Sequence, residues 1–168
     1  MAAVEVRGPL LVSACLAGVR CRYDGRAKTS DELLGRCREL RLALVPVCPE
    51  QLGGLPTPRP PAAFRGGDGR RLLAGQAGLF TAAGLEVSEK FLAGARQAAL
   101  IARVTGARGA VFQEKSPACG VEQVYLDGRL QPGCGVCTAL LRRQEGLSVW
   151  SVAGFLGELA GRQGRAAC

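Results

Sequence analysis

Three short apolar runs that each lead to a cysteine constrain the fold of this chain more than any other feature. The runs occupy residues 10–14, 42–47 and 109–112, and they lead to Cys15, Cys48 and Cys119. Short apolar runs bounded by proline, glycine or charged residues predict buried β-strands. If these strands lie parallel in one sheet, their carboxyl ends share one edge, where open α/β sheets bind ligands. We therefore expect the three thiols to meet in one pocket.

Helical patterns separate and follow these runs. Thr29–Glu32 supplies N-cap residues before a helical pattern that contains Cys37, and a longer pattern opens at Val87 and ends at Gly106. Asp127-Gly128 predicts a two-residue β-hairpin. We also predict helices at 136–143 and 154–161, a strand at 148–152 and a hairpin strand at 70–73. This order predicts an α/β fold, with a Rossmann-like, mostly parallel sheet, helices on both faces and a small β-hairpin.

The composition is that of a globular protein with one hydrophobic core. Apolar residues make up 48% of the chain and charged residues 21%, which is ordinary for soluble domains. We find no repeat or linker and predict a single domain over residues 1–168. No stretch approaches the ~18 apolar residues of a membrane-spanning helix. Val12–Cys15 resembles a lipoprotein cleavage box, but the apolar stretch before it is too short for a signal peptide. We predict a cytoplasmic protein that does not bind a membrane.

Eight cysteines and a complete lack of histidine narrow the chemistry of the expected pocket. A chain with a sizeable core does not need disulfides, so this many cysteines favours metal binding or catalysis. Three thiolates around an otherwise open site point to an iron–sulfur or other thiophilic metal centre. Their wide separation in the sequence argues against a compact zinc knuckle or ferredoxin motif. Three ligands also leave one metal position open for a small ligand.

Residues beside two of the cysteines suit a rigid ligand set. Pro49 follows Cys48 and Pro117 lies two residues before Cys119, and proline restricts the backbone at both places. We expect Gly120 to allow the close approach of a bulky ligand, because glycine adds no side chain.

Five short motifs occur in order along nearly the whole chain. They are Ser13-x-Cys15-Leu16, Cys21-Arg22-Tyr23-Asp24-Gly25, Pro46-Val47-Cys48-Pro49-Glu50, Gly53-Gly54-Leu55-x-x-Pro58-Arg59 and Ser116-Pro117-x-Cys119-Gly120. Each motif is weak alone, but the ordered set resembles the 2-thiouracil desulfurase family.

The resemblance implies a cytoplasmic bacterial enzyme that carries a [4Fe–4S] cluster on three cysteines, here Cys15, Cys48 and Cys119. The unique iron of the cluster would accept the sulfur of a thiolated pyrimidine such as 2-thiouracil, and the oxo product would form without net redox change. Glu50 would be the acid/base group and Ser116 a polar group at the substrate. The implied partner is a small thiolated nucleobase or nucleoside.

The residues around the two implied catalytic groups agree with these roles and leave alternatives open. Glu50 lies two residues after a predicted ligand, and a carboxylate is the natural acid/base group in a chain without histidine. The alternative is that Glu50 pairs with Arg59 or caps a turn. Ser116 either hydrogen-bonds the substrate ring or forms the turn that a Ser-Pro pair favours.

We predict four further residues at the substrate: Cys21, Tyr23, Asp24 and Arg59. Cys21 is a fourth metal ligand, a sulfur carrier or a structural thiol. Tyr23 and Asp24 either line the pocket or shape the turn with Gly25. Arg59 either meets an anionic substrate group or is a solvated surface residue.

Two other features keep different functions open. Cys134 and Cys137 form a Cys-x-x-Cys where the family pattern differs, and such a pair at a helix start supports thiol–disulfide exchange or supplies small core residues. The net charge of +8 keeps thiouridine in tRNA as a second substrate. A third alternative is a non-catalytic zinc or structural module in which Cys21 completes a four-thiolate site.

Overall fold

The computed structural model describes residues 8–143 and 147–166 and contains two four-stranded β-sheets. The strands are β1 (Leu10–Ser13), β2 (Leu44–Val47), β3 (Ala62–Arg65), β4 (Gly78–Thr81), β5 (Gly109–Phe112), β6 (Gln123–Leu126), β7 (Arg129–Pro132) and β8 (Ser148–Ser151). The helices are α1 (Asp31–Glu39), α2 (Pro49–Leu52), α3 (Gly69–Leu73), α4 (Ser88–Thr105), α5 (Val136–Arg142) and α6 (Val152–Ala166). A turn of 3-10 helix over Ala14–Ala17 follows β1.

The first sheet is entirely parallel and has the order β2-β1-β5-β8. Its strands β1, β2 and β5 are the three that the apolar runs before the cysteines predicted. β1 lies between the other two, so the strand order reverses between β1 and β5. This reversal is the topological switch point at which α/β sheets form a ligand crevice outside the carboxyl ends of their strands.

Helices cover both faces of the parallel sheet, which confirms the predicted fold class. Successive side chains of a strand point to opposite faces, and β1 shows this clearly. Leu10 and Val12 belong to the core that contains residues of α1 and α6. Leu11 belongs to the other core, which contains residues of α4 and α5. β1 therefore lies between two hydrophobic cores, one on each face of the sheet.

The helix boundaries follow the predicted cap signals. The Ser30 hydroxyl accepts a hydrogen bond from the Leu33 backbone N–H at 3.4 Å and caps α1. The longest helix, α4, ends at Gly106, whose φ of 67° is the left-handed conformation typical of a C-terminal cap. Within the described residues, none of the helices has the length and apolar character needed to cross a membrane.

The second sheet has the order β4-β3-β6-β7 and is larger than the small hairpin that the sequence predicted. The predicted hairpin is β6–β7, with Asp127 and Gly128 at φ values of 50° and 77°. The strand predicted at 70–73 is wrong. Those residues lie in α3, because the Asp68 carboxylate accepts a hydrogen bond from the Arg70 backbone N–H at 3.1 Å and caps a helix there.

The short helix α2 packs very closely against α4, and this contact positions the chain just after Cys48. A Cβ atom on Gly94 would lie 1.7 Å from the Pro49 carbonyl oxygen, and one on Gly53 would lie 1.9 Å from the Lys90 carbonyl oxygen. Only glycine at both positions allows the two backbones to approach this far. The sequence analysis did not predict α2, because the chain after Cys48 shows no helical pattern.

A thiol-lined candidate active site

A cleft with a volume of about 320 Å³ opens at the carboxyl edge of the parallel sheet. Ser13, Val47 and Gln113, which lie at or just beyond the ends of β1, β2 and β5, form part of its wall. The structure brings four cysteines to this cleft: Cys15, Cys21, Cys48 and Cys119. The three predicted metal ligands and the predicted substrate-side cysteine are therefore neighbours.

Each of the three predicted ligands follows a different strand. Cys15 lies in the 3-10 turn after β1, and Cys48 is the N-terminal cap residue of α2, directly after β2. Cys119 lies in the loop after β5. The parallel arrangement of the strands thus accounts for the gathering of thiols that are far apart in the sequence.

Cys21 lies against two of these thiols. Its thiol is in hydrogen-bonding contact with the thiols of Cys15 and Cys48, and the Cys48 Sγ lies 3.8 Å from the Cys21 carbonyl oxygen. The Cys119 thiol lies near Ser13 of the same cleft. Within residues 8–143 and 147–166, no three cysteine or acidic side chains are grouped tightly around a point where one metal ion would sit.

The protein environment favours the protonated form of Cys21, Cys48 and Cys119 in the absence of a metal. A hydrogen bond with Cys15 raises the pKa of Cys21, and a hydrogen bond with Cys21 together with burial raises the pKa of Cys48. Burial is the main cause that raises the pKa of Cys119. Because a metal ligand must be a thiolate, binding of iron here would release protons.

A single carboxylate organises the loop that carries Cys119. Glu114 accepts hydrogen bonds from the backbone N–H groups of four residues at 3.0 to 3.3 Å: Lys115, Val121, Glu122 and Gln123. The sequence analysis missed Glu114. Its position just after β5, at the same strand edge as the cysteines, was the available signal.

The start of α5 is hydrogen-bonded to the same loop. The backbone N–H groups of Val136 and Cys137 donate to the carbonyls of Pro117 and Ala118 at 2.9 and 3.0 Å. A Cβ atom on Gly135 would lie 2.4 Å from the Ala118 carbonyl group, so the helix start and the loop are in backbone contact. The loop therefore has little freedom to move.

Gly120 serves this packing and not the approach of a ligand, so the expectation from the sequence is wrong. A Cβ atom on Gly120 would lie 2.7 Å from the Ser116 carbonyl oxygen and 2.8 Å from the Gln123 carbonyl oxygen. The glycine is required because the protein's own backbone fills the space beside it.

Glu50 and Ser116 meet at the wall of the cleft. The Ser116 hydroxyl donates to Glu50 Oε1 at 3.4 Å and accepts from the backbone N–H groups of Ala118 and Cys119 at 3.1 and 3.0 Å. The other carboxylate oxygen, Glu50 Oε2, accepts from Arg59 Nε at 2.5 Å. The structure thus contains the Glu50–Arg59 pair, which was the alternative to an acid/base role for Glu50. It also contains the turn at Ser116, which was the alternative to a substrate contact. Both lie at the cleft.

The other predicted substrate-side residues occupy different positions. Tyr23 lines the cleft and is 42% exposed, with the Arg22 guanidinium 5.9 Å from the centre of its ring. Asp24 does not line the cleft: its carboxylate accepts from the Arg26 backbone N–H at 3.0 Å, and the residue belongs to the turn. Tyr125 of β6, which the sequence analysis did not single out, lines the cleft and is half exposed.

The remaining described cysteines do not line the cleft, although Cys137 lies near Cys119. Cys37 is a buried residue of α1, and burial raises its pKa. Burial is also the main cause that raises the pKa values of Cys134 and Cys137, and the Cys134 Sγ lies 3.8 Å from Asp68 Oδ2. Thiols that exchange disulfides have lowered pKa values and are partly exposed. The two cysteines have the properties of core residues.

The donor set of the cleft fits a thiophilic metal centre. Thiolates are soft ligands that favour iron–sulfur clusters, zinc and Cu(I) over hard cations. Three thiols on three rigid strand ends, beside a cavity, are suited to hold such a group and to leave part of it facing the cleft. Glu50 and Ser116 lie in the same wall.

Comparisons with known proteins point in one direction. Residues 10–151 match the model of a family described as 2-thiouracil desulfurase. The chain is 37% identical over 137 residues to the uncharacterized protein YbbK of Bacillus subtilis (strain 168), which covers 80% of this chain and 89% of the relative. A solved structure described as the [4Fe–4S]-dependent thiouracil desulfidase TudS superposes with a TM-score of 0.76. It is 36% identical, and the match covers 94% of this chain and 99% of that one.

Proposed function

Because the chain belongs to the 2-thiouracil desulfurase family, we propose that it is an enzyme that removes sulfur from a thiolated pyrimidine such as 2-thiouracil with the help of a [4Fe–4S] cluster. The observation that carries the proposal is the convergence of three strand-end thiols with Glu50 and Ser116 at one cleft. The similarity to a structure named as a [4Fe–4S]-dependent thiouracil desulfidase supports the cofactor.

The ligands of the cluster are Cys15, Cys48 and Cys119, which lie on rigid elements and line the same cavity. When bound, a cluster held by three thiolates supplies an iron position that is free of protein ligands and has a high affinity for sulfur. Cys21 stays outside the ligand set and packs against the ligands. Its carbonyl oxygen accepts from Arg59 Nη2 at 3.0 Å, which ties its loop to the Glu50–Arg59 pair.

The overall reaction is a hydrolysis without redox change. The C=S bond of the substrate becomes C=O, water supplies the oxygen, and the sulfur leaves as hydrogen sulfide with the two protons of that water. Atoms and electrons balance, so no external oxidant or reductant is required. The protein therefore has to supply only a group that moves protons between the incoming water and the leaving sulfur.

Glu50 is the group that moves these protons. Its Oε1 faces Ser116 and the cleft, and Oε2 is held by Arg59. A general base acts within hydrogen-bonding reach of the proton that it takes. The Ser116 hydroxyl, fixed by two backbone N–H groups, orients Oε1 and lies at the substrate. The exposed ring of Tyr23 gives the planar pyrimidine an aromatic surface to pack on.

The decisive experiment is anaerobic reconstitution of the cluster, followed by incubation with 2-thiouracil and measurement of uracil and sulfide. The wild-type protein should release both in equal amounts. Glu50→Gln should keep its iron and acid-labile sulfide and lose about 10²- to 10⁴-fold in kcat, the usual contribution of general acid–base catalysis.

The matched control is Glu39→Gln, which changes a glutamate that pairs with Arg36 on the exposed surface of α1. It should keep wild-type turnover. Reconstituted wild-type protein that contains the cluster but releases no uracil would refute the proposed activity. Loss of the cluster in Glu50→Gln would instead give Glu50 a structural role.

Thiouridine in tRNA remains a prediction for a second substrate. Arg22, Lys28 and Lys115 line the cleft, and the net charge is +8, which favours a phosphate backbone. Thiolated tRNA in the same assay tests it, and turnover should fall steeply as the salt concentration rises.

A further inference from the structure

The ion pair between Arg59 and Glu50 is buried at the cleft wall. The side chain of Arg59 is 4% exposed and that of Glu50 is 14% exposed. A buried charge remains in a fold only when it is well paired, because removing it from water is costly. The pair is therefore a fixed element of the site and differs from the exposed Arg36–Glu39 pair of α1.

The guanidinium of Arg59 is almost fully committed to the protein. Nε donates to Glu50, Nη1 donates to the Pro56 carbonyl and to Thr57 Oγ1 at 3.1 Å each, and Nη2 donates to the Cys21 carbonyl at 3.0 Å. These bonds use four of the five N–H donors that an arginine offers. A group so occupied has little left for an anionic substrate, which was one of its two predicted roles. The other, a solvated surface residue, is wrong because the side chain is buried.

The same guanidinium joins the two sides of the cleft wall. Glu50 lies in α2, whereas Cys21 lies in the loop that also carries Tyr23. The Cys21 carbonyl that accepts from Arg59 also faces the Cys48 thiol. Arg59 therefore connects the carboxylate that moves protons with the loop that packs on the ligand cysteines.

From these contacts we infer that Arg59 is a positioning residue that holds Glu50 Oε2 so that Oε1 is directed at the reacting atoms. The inference rests on the proposed role of Glu50. The planar fork of arginine fixes both the distance and the direction of the carboxylate, which a lysine ammonium does not do. Arg59 does not contact the substrate in this arrangement.

Arg59→Lys tests the inference because it keeps the positive charge and removes the fork. A displacement of a catalytic group by about 1 Å costs up to about 10²-fold in rate, so kcat per bound cluster should fall about 10- to 100-fold. KM should stay within about twofold of the wild-type value, because uniform substrate binding is untouched. The dissociation constant for the product uracil, measured on the loaded protein, and the iron content should also be unchanged.

Arg36→Lys is the matched control, since it makes the same replacement in the exposed pair, and kcat should not change. Thr57→Val is a milder second variant that removes one acceptor of the Arg59 Nη1 group. It should lower kcat in the same direction but by less, and it is informative even if Arg59→Lys does not fold.

Two results would overturn the inference. A rise in KM or in the uracil dissociation constant with an unchanged kcat would show that Arg59 binds substrate. An unchanged kcat in the folded variants would show that Glu50 does not depend on Arg59. If Glu50→Gln itself keeps full turnover, the proposed function of Glu50 fails. If Glu50→Gln loses turnover while Arg59→Lys does not, only the inference fails.

Discussion

The described cysteines of this protein fall into two groups that differ in their surroundings more than in their burial. Cys119 of the cleft and Cys37 of the core are both less than a tenth exposed, and all seven described cysteines are free thiols. The cleft cysteines line one cavity, and three of them, Cys15, Cys48 and Cys119, lie just beyond strand ends. The core cysteines lie among apolar side chains or, for Cys134, beside Asp68.

Position in the topology separates the predicted ligand cysteines from the core cysteines. Free cysteine is among the most buried residue types, so burial carries no functional information here. A cysteine directly beyond the carboxyl end of a parallel strand, next to the switch point, shares its surroundings with cysteines from the neighbouring strands. Cys37, in the middle of α1, does not.

The largest contrast between the two groups should be in iron binding. Cys48→Ala should abolish assembly of the cluster, because two thiolates hold it too weakly, whereas Cys37→Ala should assemble it like the wild type. Removal of the Cys37 thiol leaves a small cavity and should cost about 1 kcal/mol of stability. Iron, acid-labile sulfide and the absorption spectrum of anaerobically purified protein measure the difference. Equal iron in both variants would remove the distinction between the groups.

The second prediction concerns the contact that places Cys48 in the cleft. In Gly94→Ala the new methyl group would overlap the Pro49 carbonyl, which lies 1.7 Å from its position. The helix α2 must then move, and with it Cys48 and Glu50. Overpacking of this kind costs about 1–3 kcal/mol or more, and both cluster content and turnover should fall.

Gly35→Ala provides the control for this prediction. Gly35 lies within α1, and a Cβ atom there would meet nothing within 4 Å. Alanine is a better helix former than glycine by about 1 kcal/mol, so this variant should be slightly more stable and keep its cluster. A Gly94→Ala protein with normal thermal stability and iron content would contradict the close α2–α4 contact.

The parts of the fold that the sequence predicted well were those with strong local signals. The apolar runs before the cysteines gave β1, β2 and β5, and the Asp127-Gly128 pair gave the β6–β7 hairpin. The bounded apolar run predicts a buried strand, and the Asp-Gly pair predicts a tight hairpin turn. The shared cleft followed from the geometry of parallel strands and needed no further information.

The errors arose where one local pattern has two solutions. An aspartate between glycines starts a turn or caps a helix, and Asp68 caps α3 because its carboxylate bonds to the N–H groups of Arg70 and Cys134. The second of these contacts spans 66 residues. Similarly, the start of α5 packs against Ala118 only because Gly135 lies beside it, 17 residues along the chain. Such contacts between segments are not visible in a local sequence pattern.

The third prediction is that the cleft thiol of Cys48 and the core thiol of Cys137 titrate alike when no metal is bound. Burial or neighbouring thiols raise the pKa values of Cys48 and Cys137 above the ordinary value of 9.0. The folded protein then keeps protons that the unfolded chain releases, so stability is present below pH 9 and is lost above it. Each such thiol contributes about 1.4 kcal/mol per pH unit. Urea unfolding of the cluster-free protein should show a fall of several kcal/mol between pH 8 and pH 10.

Single variants measure the contribution of each thiol to this pH dependence. Cys48→Ala and Cys137→Ala should each make the fall shallower by about 1.4 kcal/mol per pH unit above pH 9, although one residue belongs to the cleft and the other to the core. A stability that does not depend on pH in this range would show that the thiols are not held neutral in the fold.

The smallest effect on cluster content and turnover should come from the Cys-x-x-Cys of the core. Replacement of both Cys134 and Cys137 by alanine removes two buried sulfur atoms and should cost about 1–3 kcal/mol of unfolding free energy. Iron content and kcat should remain at wild-type values, because neither thiol lines the cleft. Urea unfolding and the uracil assay measure the two outcomes. If turnover were lost while the cluster remained, the pair would have a redox role, and the division into cleft and core cysteines would have to be redrawn around Cys134 and Cys137.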